Sequence, residues 1–366
     1  MYFIISIILT LFAVLSILFL KTKENKKLKS LLEEKEKNIT GLKEDIKREL
    51  IKAQDVHKKL LPDSLPEPVN FLISDYYQPA EYIGGDYYNL FKIDHDSLAP
   101  LFNQYLFYFF DVSGHGIDST LLAIFINESI QNYFKLKHNP GEMVSTKDLM
   151  SYIDKRYQEE GFPDDYLLCM YIGIFDLDKK ELEYSARGFQ FPFLKLKEKK
   201  EIKKYDIGGL PISTAVGKME EFNTTKKMKL EENSSLFFST DGLFESKNEN
   251  KIYYSRIDNL LKKYSFLPAP FINEIIQKDV NNFMENKNNR DDITFLIMDY
   301  LRGDFEKWNF VKSKNKNILN KLEKKNNSGD LWYLNIINSI LNKFTKNNKK
   351  VTNKSKLEFK YIDNSS

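Results

Sequence analysis

Residues 105 to 123 read YLFYFFDVSGHGIDSTLLA. An unbroken apolar and aromatic run ends on Asp111. A glycine-bearing turn follows, and from Ser119 the apolar residues recur at helical spacing through STLLAIFINESIQNYF. Short aromatic runs bounded by turn signals predict strands, and the longer periodic stretch predicts a helix. The pattern returns in LLCMYIGIFDL (167–177), SLFFSTDG (235–242) and ITFLIMDY (293–300), with a second helical stretch at FINEIIQKDVNNFMEN (271–286). This alternation predicts a mixed domain, α/β or α+β, over residues 62–302. No internal repeat is present.

The chain has 366 residues, 42% hydrophobic and 14% aromatic, which is ample for one substantial core with extensions. Lys and Arg total 55 against 52 Asp and Glu, a net charge of +3, so nothing in the overall charge argues for a nucleic-acid partner. Cys169 is the single cysteine, which excludes an intramolecular disulfide and reads as a small buried hydrophobe.

Residues 1–20, MYFIISIILTLFAVLSILFL, carry no charged side chain. Twenty helical residues rise about 30 Å, the thickness of a bilayer core, so the stretch predicts a transmembrane anchor. A cleaved signal peptide would want a basic leading region and a small-residue cleavage site. Lys21, Lys23, Lys26, Lys27 and Lys29 follow at once and place the remainder in the cytoplasm. Residues 21–61 then predict a cytosolic coiled-coil or linker helix. Leu32, Ile39, Ile46, Ala53 and Leu60 fall at a positions, and Leu28, Lys35, Leu42, Glu49 and Val56 at d. Lys35 and Glu49 weaken the seam, and Gly41 lowers helix propensity. A homodimer through this helix is one expectation; a single solvated helix is the other. Pro62, with Pro66 and Pro68, should end it. At the far end, 303–366 form a Lys/Asn-rich extension, with a possible amphipathic helix at LWYLNIINSILNKF (331–344).

Four aspartate positions share one setting. Asp86 follows Gly84 and Gly85, Asp111 ends one strand run, Asp241 ends another ahead of Gly242, and Asp291 and Asp292 open the last. One such aspartate reads as a turn or cap residue. Several beside apolar strands suggest convergence, and buried carboxylates need a cation or hydrogen-bond partners. Hard oxygen ligands without a Cys or His cluster select Mg²⁺ or Mn²⁺. Several carboxylates can hold two ions about 4 Å apart around a bridging water that attacks phosphorus.

GGDYYN, DVSGHGIDSTLLA, STDGLFESKN and DDITFLIMDY, in this order and spacing, resemble the PPM metal-dependent serine/threonine phosphatases. They look like the bacterial SpoIIE-type branch, which includes stress-response regulator phosphatases. AQDVHKKLLPDSLPEP (53–68) also resembles the linker helix that relays signals in that branch. The resemblance covers roughly residues 70–300. It implies an α+β fold, an α-β-β-α sandwich with two Mn²⁺ or Mg²⁺ ions at one end. Asp86 would ligate one ion, Asp111 would bridge both, the Val112 carbonyl would bind one, and Asp241 and Asp291 would complete the site. Asp86 and Asp111 would be catalytic through the metal-bound water. Asp292 would cap the loop before the last strand, and Thr240 and Thr294 would hydrogen-bond nearby. His115 is a weak candidate acid: the eukaryotic members carry a histidine two residues after the bridging aspartate, where this chain has Ser113. Arg187 and Arg290 are the nearest candidates for holding phosphate, against a plain structural role.

Three positions depart from the branch. Asn89 stands where an aspartate is usual, Phe189 where a histidine is usual, and His57 where a glutamine is common. None removes an expected ligand. The resemblance further implies a phosphorylated protein substrate, such as an anti-sigma-factor antagonist of the STAS fold. Joined to the apolar N-terminus, it predicts a single-pass protein of the inner (cytoplasmic) membrane with its catalytic domain in the cytoplasm. A diguanylate cyclase would need an acidic residue after Gly-Gly-Asp, where Tyr87 stands. A pseudophosphatase acting as a tethered adaptor is the rival from another class; complete carboxylate motifs and metal-dependent turnover separate the two.

Overall fold

The computed structural model describes residues 2–62, 65–66, 68, 71–93, 103–114, 116–136, 144–197, 202–205, 208–217, 222–248, 251–265, 267–284 and 291–300. His115, Arg290 and the extension from 303, with its expected helix at 331–344, lie outside the described residues. The chain divides into two compact units, 1–58 and 59–366.

One helix makes up the first unit. α1 (Tyr2–Leu60) runs without a break, through Gly41, and ends just before Pro62, which has no amide proton to continue the ladder. Along this single chain the heptad side chains Leu28, Leu32, Ile39, Leu42, Ile46 and Val56 are exposed. The transmembrane expectation does not stand. Among the described residues no helix is long and apolar enough to cross a membrane. The apolar start of α1 is one end of a helix that continues, uninterrupted, through a stretch dense in Lys and Glu. The inner-membrane placement and the membrane partner fall with the anchor.

The second unit is built on two antiparallel sheets. The first has the order β1 (Phe71–Gln78), β12 (Ile293–Tyr300), β9 (Ser234–Ser239), β6 (Phe193–Lys197), β7 (Ile202–Tyr205). The second has β2 (Tyr87–Lys92), β3 (Gln104–Val112), β4 (Leu168–Asp176), β5 (Glu181–Arg187), β8 (Lys226–Lys229). A short hairpin, β10 (Lys247–Asn248) with β11 (Lys251–Ile252), stands apart. Helices α2 (Ile117–Leu136) and α3 (Thr146–Glu160) cover the second sheet. The turn α4 (Asp241–Phe244) and helices α5 (Tyr254–Tyr264) and α6 (Ala269–Phe283) cover the first.

The strand sequences dictate this layering. In β3, Phe107 and Phe109 point between the sheets, while Leu106, Tyr108, Phe110 and Val112 point to α2 and α3. In β12, Leu296, Met298 and Tyr300 face the sandwich interior, and Ile293, Phe295 and Ile297 face α5 and α6. A strand covered on both faces favours apolar residues on both, which is why these runs show little alternation. The interior is aromatic: Phe238 sits 4.9 Å from Phe107 and 5.0 Å from Tyr171, ring centre to ring centre, and Phe71 lies 5.1 Å from Phe175. Polar ties close the layers. The Asp299 carboxylate accepts from the Ala269 amide at the start of α6 (2.7 Å) and from the Ser235 hydroxyl (2.6 Å). Asn273 donates to Ser74 and to the Asp75 carbonyl, fixing α6 on β1. The edge strand β8 carries Lys227 and Lys229, paired with Glu181 and Glu183 of β5. The structure confirms the expected α-β-β-α sandwich in this unit.

Phe238→Ala removes a ring packed between the sheets and should cost about 3–5 kcal/mol of stability. Urea unfolding followed by circular dichroism measures it; a loss below about 1 kcal/mol would mean that the site collapses to fill the gap.

Candidate metal centre

The antiparallel order brings one end of each sheet to the same place. β2 begins, β3 ends, β9 ends and β12 begins there. The aspartates that flank these strand ends therefore meet, although residues 86 to 292 separate them in sequence. Asp86 is buried, while Asp111 and Asp241 are half-buried and Asp291 is exposed.

Their electrostatics show the crowding. Burial pushes the Asp86 carboxyl well above its usual value, and the charges of Asp111, Asp292 and Asp291 push it further; a hydrogen bond from Thr294 opposes them. Burial does the same to Asp111, reinforced by Asp241, Asp291 and Asp292, and the Asp241 carboxyl lies within hydrogen-bond reach of it. The Cys169 thiol, opposite Asp111 in the β3–β4 register, is pushed up by burial and by the same carboxylates. The Tyr77 hydroxyl is raised by burial and by Asp292 and Asp86.

Each expected residue can now be placed. Asp86 Oδ2 accepts from Thr240 Oγ1 (2.9 Å) and Thr294 Oγ1 (2.5 Å). Both threonines therefore hydrogen-bond at the site, as expected. Asp241 opens α4, and its Oδ1 is buried with no hydrogen-bond partner among the described residues. Val112 is buried, and its carbonyl lies 2.7 Å from where a Cβ on Gly85 would sit. Only glycine fits between that carbonyl and the Ser119 side chain, which answers why the Gly-Gly pair precedes Asp86. Asp291 Oδ1 accepts from the Asp292 amide.

Asp292 is a clamp on the Gly-Gly loop as well as a cap. Its Oδ1 accepts from the Ala80 amide (2.8 Å) and its Oδ2 from the Gly85 amide (2.7 Å). A Cβ on Gly84 would collide with its carboxylate, and one on Gly242 with its carbonyl. Thr120 Oγ1 donates to the Gly84 carbonyl (2.8 Å) and pins the loop from the other side. Neither Thr120 nor Tyr77 stands out in the sequence as a site residue. A Thr in the first turn of a helix and a Tyr one strand from the last were their only signals.

Other expectations resolve into structure. Arg187 is buried away from the site. Its guanidinium donates to the Leu210 and Pro211 carbonyls and to Asn223, and lies 3.6 Å from Asp154. Ser113 bridges to the 165–167 segment through its hydroxyl. Asn89 donates to the Tyr108 hydroxyl, and Phe189 stacks on Phe109 at 5.7 Å.

Among the described residues no three acidic, His or Cys side chains are grouped closely enough to hold a metal ion as they stand. The carboxylates sense one another's charge without forming a preformed cage. The donor set nonetheless fits a hard divalent cation: oxygen only, excess negative charge, and a buried Asp241 oxygen with nothing donating to it.

The fold defines the class. The SiaA-PP2C domain of Pseudomonas aeruginosa aligns with a TM-score of 0.58 at 17% identity, over 70% of this chain and 98% of that one. The PP2C phosphatase domain of SpoIIE from Bacillus subtilis, with a fragment of its regulatory domain, aligns with a TM-score of 0.50 at 14% identity, over 64% of each chain. The second unit thus has the PP2C fold. Residues 103–301 match the family described as Stage II sporulation protein E (SpoIIE), and the chain belongs to that family. Phosphoserine phosphatase RsbP of Bacillus subtilis is 24% identical over 261 residues, 69% of this chain and 58% of RsbP. Phosphoserine phosphatase RsbU of the same organism is 21% identical over 269 residues, 73% of this chain and 71% of RsbU. The chain thus spans less than two thirds of RsbP.

Raised carboxyl pKa values carry a sign. The native chain holds protons at Asp86 and Asp111 that the unfolded chain has released, so their contribution is complete at low pH and is lost as pH rises through the native values. In EDTA the melting temperature should fall as pH rises above the ordinary carboxylate range, and Mn²⁺ should restore it at the upper pH. A melting temperature that rises with pH there in EDTA contradicts the shifts.

Proposed function

We propose that the chain is a divalent-metal-dependent protein phosphatase acting on phosphoserine or phosphothreonine. The convergence of Asp86, Asp111, Asp241 and Asp291 around a buried carboxylate oxygen without a donor is the observation that carries the reading. The names of RsbP and RsbU, both phosphoserine phosphatases, support it.

In this reading Asp86, Asp111, Asp241, Asp291 and the Val112 carbonyl would hold two Mn²⁺ or Mg²⁺ ions. When bound, the ions supply Lewis acidity toward water and the phosphoryl oxygens and offset the charge of the phosphate. The chain's own residues set the geometry. Asp292 and Thr120 fix the loop that presents Asp86, and the Gly85 backbone brings that loop against the Val112 carbonyl. β3 and β4, apolar on both faces, give Asp111 a rigid base.

The substrate we propose is a phosphorylated protein of a partner-switching pathway, with a STAS-fold anti-sigma-factor antagonist as the type. The catalytic domain extends over 62–302. Residues 21–61, with their exposed heptad side chains, pair two copies as a coiled coil and pass a signal to it.

Phosphate release from a phosphoserine peptide tests the activity, using the full chain with Mn²⁺, Mg²⁺ or EDTA. Turnover should require the metal, and Asp111→Asn should lower it by more than about a hundredfold while the fold persists. A folded, metal-binding wild type that releases no phosphate would favour an adaptor.

A further inference from the structure

Asp86 carries its two oxygens in different company. Both hydroxyls that reach it, Thr240 Oγ1 and Thr294 Oγ1, donate to Oδ2. Among the described residues no hydrogen bond reaches Oδ1. Asp86 Oδ2, at 2.9 Å, is nearer to Thr240 Oγ1 than the Thr294 (3.4 Å) and Asp292 (3.5 Å) carbonyls that could also take its proton. The Thr240 oxygen accepts from the Thr294 amide (3.2 Å), so its own proton is available to Asp86. Each threonine is in turn immobilised. Thr294 lies in β12, paired on one side with Tyr77 of β1. Thr240 follows β9, and its amide donates to the Thr294 carbonyl (3.0 Å). Both are wholly buried, so neither hydroxyl has water as an alternative partner.

A carboxylate whose one oxygen is saturated by two fixed donors can turn only the other toward a cation. We infer that Thr240 and Thr294 are positioning residues that hold Asp86 for one-oxygen ligation through Oδ1, on the reading of this pocket as a metal centre. Because the pair joins β9, β12 and the Gly-Gly loop, it couples the docking of the two sheets to the aim of one ligand. Supporting groups of this kind typically change metal affinity by about 10–100-fold when removed.

The test is Mn²⁺ binding by the full chain, read as the electron paramagnetic resonance signal of free Mn²⁺, with no turnover required. Thr240→Val and Thr294→Val keep the branched shape and delete the hydroxyl. Each should weaken binding by about tenfold or more, and Thr→Ser at the same position should bring it back to within about threefold of wild type. The metal-free melting temperature of each variant confirms folding. The two threonines lie on different elements, so a folding defect at one leaves the other to decide. Folded valine variants that bind Mn²⁺ as tightly as wild type would overturn the positioning role. Serine variants as weak as the valine variants would overturn it too, since packing and not the hydroxyl would then be at work. A wild type that binds no Mn²⁺, or binds it unchanged after Asp111→Asn, sinks the metal reading itself, a result distinct from either.

Discussion

Like charges gathered in a poorly solvated pocket are the constraint that the end of this sandwich is built around. Burial, reinforced by the charges of neighbouring aspartates, raises the Asp86 and Asp111 carboxyls well above their usual range. Without restraint the strand ends would splay. Asp292 answers with two backbone amides, Asp86 with two threonine hydroxyls, and Asp291 with the next amide along. Among the described residues nothing donates to the buried Asp241 Oδ1.

The rest of the domain makes that arrangement tolerable. Rings from both sheets interlock between the layers, with Phe238 meeting Phe107 and Tyr171, and the helices bury the outer faces. The dense apolar packing offsets the unfavourable electrostatics at one end. It also fixes the strand register, so that Asp111 stands opposite Cys169 and Tyr77 opposite Thr294. Polar groups deeper in the domain act locally. Asp299 caps α6, and Arg187 holds the 208–223 segment rather than a phosphate.

Much of this was legible in the sequence because burial on both faces favours long apolar runs, and β3, β4 and β12 have them. The aspartates stood out because they end or open those runs. Edge strands were harder to see: β7 and β8 are lysine-rich, and pairing rather than composition makes them strands. The clamp by Asp292 was only half visible, since its partners Ala80 and Gly85 lie 212 and 207 residues away. Nothing local marks a hydrogen bond of that span. The N-terminus misled for a related reason. Its first twenty residues suit a bilayer when taken alone, but they are one end of a long helix that turns densely charged.

β12 is the last described strand, yet it sits inside its sheet, between β1 and β9. The chain emerging from a ribosome therefore cannot complete that sheet until residue 300 is free. The bond from Thr294 to Asp86 spans 208 residues, so the acidic pocket is among the most non-local features of the fold. Non-local contacts form late, after the entropy of closing long loops has been overcome. A chain cut short before β12 would keep most of its helices and the whole second sheet, but it would lack Asp291, Asp292 and Thr294. Synthesis thus orders the events: a copy that has not yet released β12 has no assembled pocket, and whatever chemistry the pocket performs waits for that strand.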